Sequence, residues 1–243
     1  MAAVGCARAS ASAPFSDADG GADTGFAVVE LFTSEGCSSC PPADDVLRDV
    51  AAEAMRSGRH VYPLAFHVDY WNSLGWPDPY SSGLATDRQH AYARALGEQG
   101  VYTPEMIVNG RDAFVGSDAS RARRSIDAAL HGREIARIEL KTKVIDDAVT
   151  VDYTVTNAPK GHLLQLALVQ NAAETRVRAG ENAGRTLRHA NVVRSLRTVE
   201  LDVARTGHVA FAPARASASR SSIVAFVQAP ETMAIVGAAR ADL

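Results

Sequence analysis

The sequence predicts a chain in two parts: an α/β unit over residues 25–133, followed by an all-β antiparallel, sandwich-like unit over residues 134–243. Three observations lead there. Up to His131, compact apolar strands alternate with segments whose apolar positions recur at helical spacing. From Ala136 onward the helical period disappears, and Ala136–Lys141 and Val149–Val155 alternate strictly between apolar and polar residues. The charge balance changes at the same place, with 11 basic and 17 acidic residues over 1–133 but 14 and 11 over 134–243.

The elements follow in order. Phe26–Phe32 is a short apolar run with β-branched and aromatic residues, so it reads as a buried strand. Thr33–Gly36 is a turn. Pro41 and Pro42 suit the first turn of a helix, where a missing N–H costs nothing. Val46, Leu47, Val50, Ala51 and Ala54 carry that helix over 43–55, and Ser57-Gly58 stops it. His60–Val68 is a second strand. Residues 71–82 form a loop crowded with Asn72, Gly75, Pro77, Asp78 and Pro79. Thr86–Leu96 is a helix closed by Gly97. Pro104–Val108 and Ala113–Gly116 are strands joined by the Asn109-Gly110 hairpin signal. Asp118–His131 is the last helix.

The second part contains only strands. Beyond the two alternating runs, which flank a turn at Asp146-Asp147, these are 163–169, 192–203, 207–211, 223–227 and 233–236. The intervening Gly180–Arg194 is polar and basic, with Arg185, Arg188, His189 and Arg194. It reads as an exposed binding loop, a contact with the acidic first part, or an ordinary long loop.

Composition bounds the function. With 243 residues, 47% hydrophobic and 22% charged, the chain can bury a sizeable core and is not of disordered type. A net charge of -3 gives no reason to expect nucleic acid as partner. No apolar stretch is long enough for a membrane helix, so no integral membrane protein is expected. Residues 1–24 are rich in Ala, Ser, Asp and Gly and read as a disordered leader or the remnant of an export signal. Ala3-Val4-Gly5-Cys6 loosely resembles a lipobox, which would make Cys6 a lipid anchor. The apolar stretch before it is too short for a signal peptide, so such a signal would begin further upstream.

The chemistry concentrates at Cys37-Ser38-Ser39-Cys40. A helix N-terminus offers partial positive charge and N–H donors to the first sulfur and lowers its pKa. Cys37 is therefore the candidate nucleophile and Cys40 the resolving thiol. Glu35 lies two residues before Cys37, and a nearby carboxylate acts in the opposite sense. A modestly activated dithiol results. Two rival readings stay open: a structural disulfide, and a copper or zinc site built from Cys37, Cys40 and His67. Alternation puts His67, Asp69 and Trp71 on one side of the chain. If that side faces Cys37, Asp69 is a proton acceptor for Cys40 and Trp71 a wall for substrate. The rival reading has Tyr70, Trp71 and Trp76 covering the core under the long loop.

The order strand, CxxC, helix, strand, helix, Thr103-Pro104, strand, Asn109-Gly110, strand, helix resembles the thioredoxin fold, with residues 69–100 as an insertion. More closely, Val29–Cys37, His67–Trp71, Thr103–Met106 and Gly180–His189 resemble a family of bacterial exported thioredoxin-like proteins of unknown function. The resemblance implies a cis-Pro104 beside the dithiol, with Thr103 offering its backbone to a partner chain; by itself Pro104 also reads as an ordinary strand-entry proline. It also implies a periplasmic or secreted location. The expected activity is thiol–disulfide exchange on protein or small-molecule disulfides. Cys37, Cys40 and Pro104 would be catalytic, and Thr103, Trp71, Asp69 and Glu35 would surround the substrate. The only cofactor is the redox disulfide itself. The alternative is a metal-handling or partner-binding protein without turnover.

Overall fold

The computed structural model describes residues 25–145, 148–202, 205–211 and 221–243. The leader, Cys6 and the Asp146-Asp147 turn lie outside the described residues. The architecture is mixed α/β, dominated by one large sheet.

Strand β1 (Ala27–Thr33) is buried along its whole length. Its apolar residues serve both faces. Ala27, Val29 and Leu31 pack against helices α1 (Pro41–Ser57) and α3 (Ala119–Leu130). Val28 and Phe32 face the other side, where Tyr92 and Ala85 of α2 (Gly83–Leu96) close the core. A strand covered on both sides is continuously apolar, which is why β1 shows no alternation. Besides Thr33 at its end, the polar exception is Glu30, whose carboxylate takes the Arg88 guanidinium at 2.5 and 2.9 Å and the Tyr92 hydroxyl.

Around β1 the sheet grows in both directions. Strand β2 (Val61–His67) pairs with it in parallel. On the other side lies β3 (Glu105–Val108), antiparallel to β1, and then β4 (Asp112–Val115). The β3–β4 turn has Asn109 and Gly110 at φ 48 and 67. Three residues, 109–111, connect the strands, and the positive φ at the first two suits Asn and Gly. The Asn109 side chain fixes the turn to β1, accepting from Val28 N (2.7 Å) and donating to Phe26 O (2.9 Å). The Thr103–Pro104 bond is cis.

The second part forms β5 (Arg137–Ile145), β6 (Ala148–Thr156), β7 (Leu163–Arg176), β8 (Thr186–Glu200), β9 (Thr206–Phe211), β10 (Ser221–Gln228) and β11 (Ile235–Asp242). Strands β5, β6 and β9 make a separate three-stranded sheet. It packs on β7 and β10 through Val151, Tyr153, Val155, Leu164, Leu166 and Ile223, among others.

The rest of the second part is not a free-standing unit. Strand order in the large sheet is β11-β10-β7-β8-β2-β1-β3-β4. The two halves join where β8 runs parallel to β2, with Ala65 opposite Val192. One core cluster also spans both halves, from Phe32 and Phe66 to Val169, Val224 and Phe226. Alternation reveals that a strand has two faces, not which edge it pairs with. A second correction concerns length. β7 continues to Arg176 and β8 starts at Thr186, so only residues 177–185 form the connection. Arg188, His189 and Arg194 belong to a strand.

Candidate functional site

Cys37 and Cys40 form a disulfide with Cα atoms 5.4 Å apart. The local chain makes this natural. β1 ends at Thr33, and Cys37 N donates to Ser34 O (3.2 Å), while Cys40 N donates to Cys37 O (3.2 Å). Pro41 and Pro42 then open α1. Both cysteines are fully buried, whereas Ser38 and Ser39 between them are exposed. The Ser39 hydroxyl lies 3.3 Å from the Cys37 sulfur.

Three predicted residues gather around this turn. A Cβ built on Gly36 would lie 3.1 Å from the Trp71 Cβ, so Trp71 rests against the residue preceding Cys37. The Trp71 indole N–H donates to the Thr103 hydroxyl (2.9 Å), linking that wall to the Thr103-Pro104 corner. Pro104 reaches the same end of the sheet: a Cβ on Gly116 would meet Leu31, Ala43 of the first turn of α1, and Pro104.

The other predicted residues have different partners. The Asp69 carboxylate accepts from the Thr86 hydroxyl (2.6 Å) in the first turn of α2. The reason is that β2 stops at His67, so alternation does not extend to Asp69 and Trp71. Glu35 is fully buried and its carboxylate is already engaged. It accepts from Trp76 Nε1 (2.8 Å) and sits 3.1 Å from His189 Nε2. His67 Nδ1 lies 2.7 Å from Asp78 Oδ2, and its Nε2 is buried without a hydrogen bond. The cysteines proposed as its fellow metal ligands are bonded to each other. Among the described residues, no group of three or more His, Cys, Asp or Glu side chains is placed to hold a metal ion.

The residues flanking the CxxC turn, Glu35 before it and Asp44 after it, belong to a buried ionic cluster made by both halves of the chain. His189 of β8 lies between two carboxylates, Glu35 and, at 3.6 Å, Asp44. The second distance is an ion pair, too long for a hydrogen bond. Burial pushes the His189 imidazole down, but Asp44 and Glu35 outweigh it and lift its pKa to about 10. The His67 ring meets the His189 ring edge-on, with centroids 4.6 Å apart, and Tyr80 flanks both. Burial pushes the Asp78 carboxyl up. His67 and the backbone N–H groups of Glu35 and Tyr80 prevail and hold it at about 2.

The β7–β8 connection lies across the same turn. Asn182, itself buried, donates to Glu35 O (2.8 Å) and Cys37 O (2.9 Å). The Glu181 carboxylate accepts from Ser38 N (3.0 Å). Gly180 and Gly184 bracket these residues at φ 74 and 82.

Sequence reasoning missed Asp44, Asp78, Asn182 and the place of His189. A signal existed for Asp44. It shares the spacing of Leu47 and Ala51 on the inward face of α1, where a carboxylate demands a partner. None existed for Asp78, which looked like one more polar loop residue.

The family described as "Protein of unknown function (DUF1223)" matches residues 28–228. Protein AGR_C_4864 from Agrobacterium tumefaciens, of solved structure, is 32% identical; the match covers 90% of this chain and 95% of that one, with a TM-score of 0.66. HBP35 of Porphyromonas gingivalis is 17% identical over 92% of this chain and 76% of its own, with a TM-score of 0.65, a likeness of fold alone. No curated protein matches the chain.

Proposed function

This chain belongs to that family, whose description assigns no chemistry, and from its own site we propose that it is a thiol–disulfide oxidoreductase on a thioredoxin-like scaffold. The observation that carries the proposal is the Cys37–Cys40 disulfide at the start of α1. A cross-link with sequence separation 3 closes so short a loop that chain entropy gives it only about 2 kcal/mol. Its position gives it more. The α1 N-terminus and the Ser39 hydroxyl favour negative charge on the Cys37 sulfur.

In the forward direction the Cys37 thiolate attacks a partner disulfide. A Cys37–partner disulfide forms and one partner thiolate leaves. Cys40 then attacks the Cys37 sulfur, restoring the internal disulfide and releasing the second partner thiolate. Two electrons pass to the partner, and the two protons lost by the protein thiols end on the partner sulfurs. A dithiol partner drives the same steps in reverse. Thr103, Pro104 and Trp71 shape the approach, and the reaction needs no cofactor beyond the disulfide. Partners are protein thiols or disulfides, and a disulfide of this kind suits a periplasmic or secreted location.

The burial of both cysteines favours a second reading: a fixed cross-link in a partner-binding protein without turnover. The reduction potential separates the two. A couple above about −300 mV that exchanges with protein disulfides supports the oxidoreductase, and a lower, inaccessible one supports the cross-link. Cys37→Ser and Cys40→Ser should each abolish exchange. Undiminished activity in both variants removes the proposal.

A further inference from the structure

Glu35 and Asp44 pose an electrostatic problem for any dithiol at this position. Glu35 precedes Cys37 by two residues and is fully buried. Asp44 follows Cys40 by four, one helical turn along the same face of α1, and is 5% exposed. Opening the disulfide with a dithiol breaks one S–S bond in the protein and forms one in the reductant. Two electrons and two protons enter, and the Cys37 thiol then loses its proton to solvent. The resulting thiolate would be a third negative charge on a short segment that already carries two buried carboxylates, one on each side of the CxxC turn.

Among the described residues, the ion pairs to Glu35 and Asp44 both come from one cation, His189 of β8. We infer that His189 is a positioning residue for the dithiol: its charge offsets Glu35 and Asp44 and so lets the Cys37 sulfur carry negative charge once the disulfide opens. The inference rests on the oxidoreductase reading and assigns the second half of the chain a part in the chemistry. The other groups facing His189 do not replace it. His67 is held by Asp78, and Tyr80 meets the ring edge-on while the Arg194 guanidinium lies over the Tyr80 ring. The Arg185 guanidinium is bonded to Asn182.

The test uses the full chain, reduced with dithiothreitol, and follows the ultraviolet absorbance of the Cys37 thiolate against pH. This readout does not depend on access to the sulfur. His189→Gln should raise the titration midpoint by about one pH unit, an ordinary size for removing an opposite charge nearby. Thiolate at neutral pH should fall about tenfold. Asp44→Asn should move the midpoint the other way, which keeps the inference testable if His189→Gln does not fold. Arg188→Gln, on the same strand but exposed and paired with Glu174, should leave it in place. A merely structural His189 would lower the unfolding midpoint without moving the titration. An unmoved midpoint in folded His189→Gln, or a shift of the same sign in Asp44→Asn, overturns the inference while exchange by the unmodified chain stands. A wild-type disulfide that performs no exchange overturns instead the reading beneath it.

Discussion

Asn182→Ala should make the buried disulfide far easier to reduce. The Asn182 amide satisfies two buried carbonyls, Glu35 O at 2.8 Å and Cys37 O at 2.9 Å. Each bond is worth about 1 kcal/mol net, and leaving a buried carbonyl unpaired costs about 1–3 kcal/mol. When the 177–185 connection lifts, water satisfies both carbonyls, so the substitution penalises only the closed form. For two carbonyls the penalty is about 2–6 kcal/mol, and even its low end, about 2 kcal/mol, raises the open population about 30-fold. The assay is the first-order rate of disulfide opening by dithiothreitol under native conditions, followed by trapping of the free thiols. If reduction proceeds through local opening, that rate should rise in proportion. Leu166→Ala is the control. Leu166 is fully buried between the two sheets, and its truncation should cost about 2–5 kcal/mol of global stability without loosening residues 177–185. Equal rates in Asn182→Ala and wild type would refute the idea that this connection governs access. So would equal acceleration by Leu166→Ala, which would point to global unfolding as the route.

Stability should peak near about pH 4–5 and fall toward alkaline pH. Burial, reinforced by Glu98 and opposed by Gln89, raises the Glu105 carboxyl from 4.5 to about 8, and His189 is raised from 6.5 to about 10. Groups raised on folding stabilise fully below their unfolded values and lose that contribution as pH climbs through the folded ones. Asp78, lowered from 3.8 to about 2, loses its contribution in that acidic window instead. Urea melts from pH 3 to 10 test the profile, and stability that rises from pH 5 to 9 would contradict it. Arg88→Met should cost about 3–5 kcal/mol, because it strands the buried Glu30 carboxylate, and the double variant with Glu30→Leu should recover much of that loss. Denaturation midpoints of the two variants decide it; a single variant within about 1 kcal/mol of wild type would show that Glu30 finds other compensation.

The first half was readable because its signals are local. β1 and β2 declare themselves by their apolar runs, α1 by its period and the prolines at 41 and 42, and the β3–β4 hairpin by Asn109-Gly110, all within a few residues of the feature they specify. The CxxC turn belongs to the same class. The β7–β8 hairpin was less legible. Its outer part, from Gln170 to Arg176 and from Thr186 to Arg188, is largely half-buried or exposed and carries many polar side chains. Such residues become strands because each pairs with the other, as Glu174 does with Arg188. That partnership is not written in either segment alone. The ionic cluster has the same character. His189 lies 154 residues from Glu35 along the chain, and Asn182 lies 145 from Cys37. Nothing near either residue in sequence marks it as a neighbour of the dithiol.

These long-range contacts bear on what the change of pattern near Arg133 means. It marks where helices give way to strands, but three separate structures cross it. The sheet crosses through β2 and β8. The core crosses through Phe66 and Phe226, with Arg88 stacked on both rings, and the Arg88 guanidinium also donates to Gln228 of β10 (3.1 Å). The site crosses through Asn182 and His189. A carboxylate as deeply buried as Glu35 is tolerable only with its partners in place. Trp76, from the first half, supplies a single neutral donor to it. The cation comes from the second half. The environment of Cys37 and Cys40 is therefore completed only when β8 has joined the sheet, and the chemistry proposed for the dithiol is a property of the whole chain.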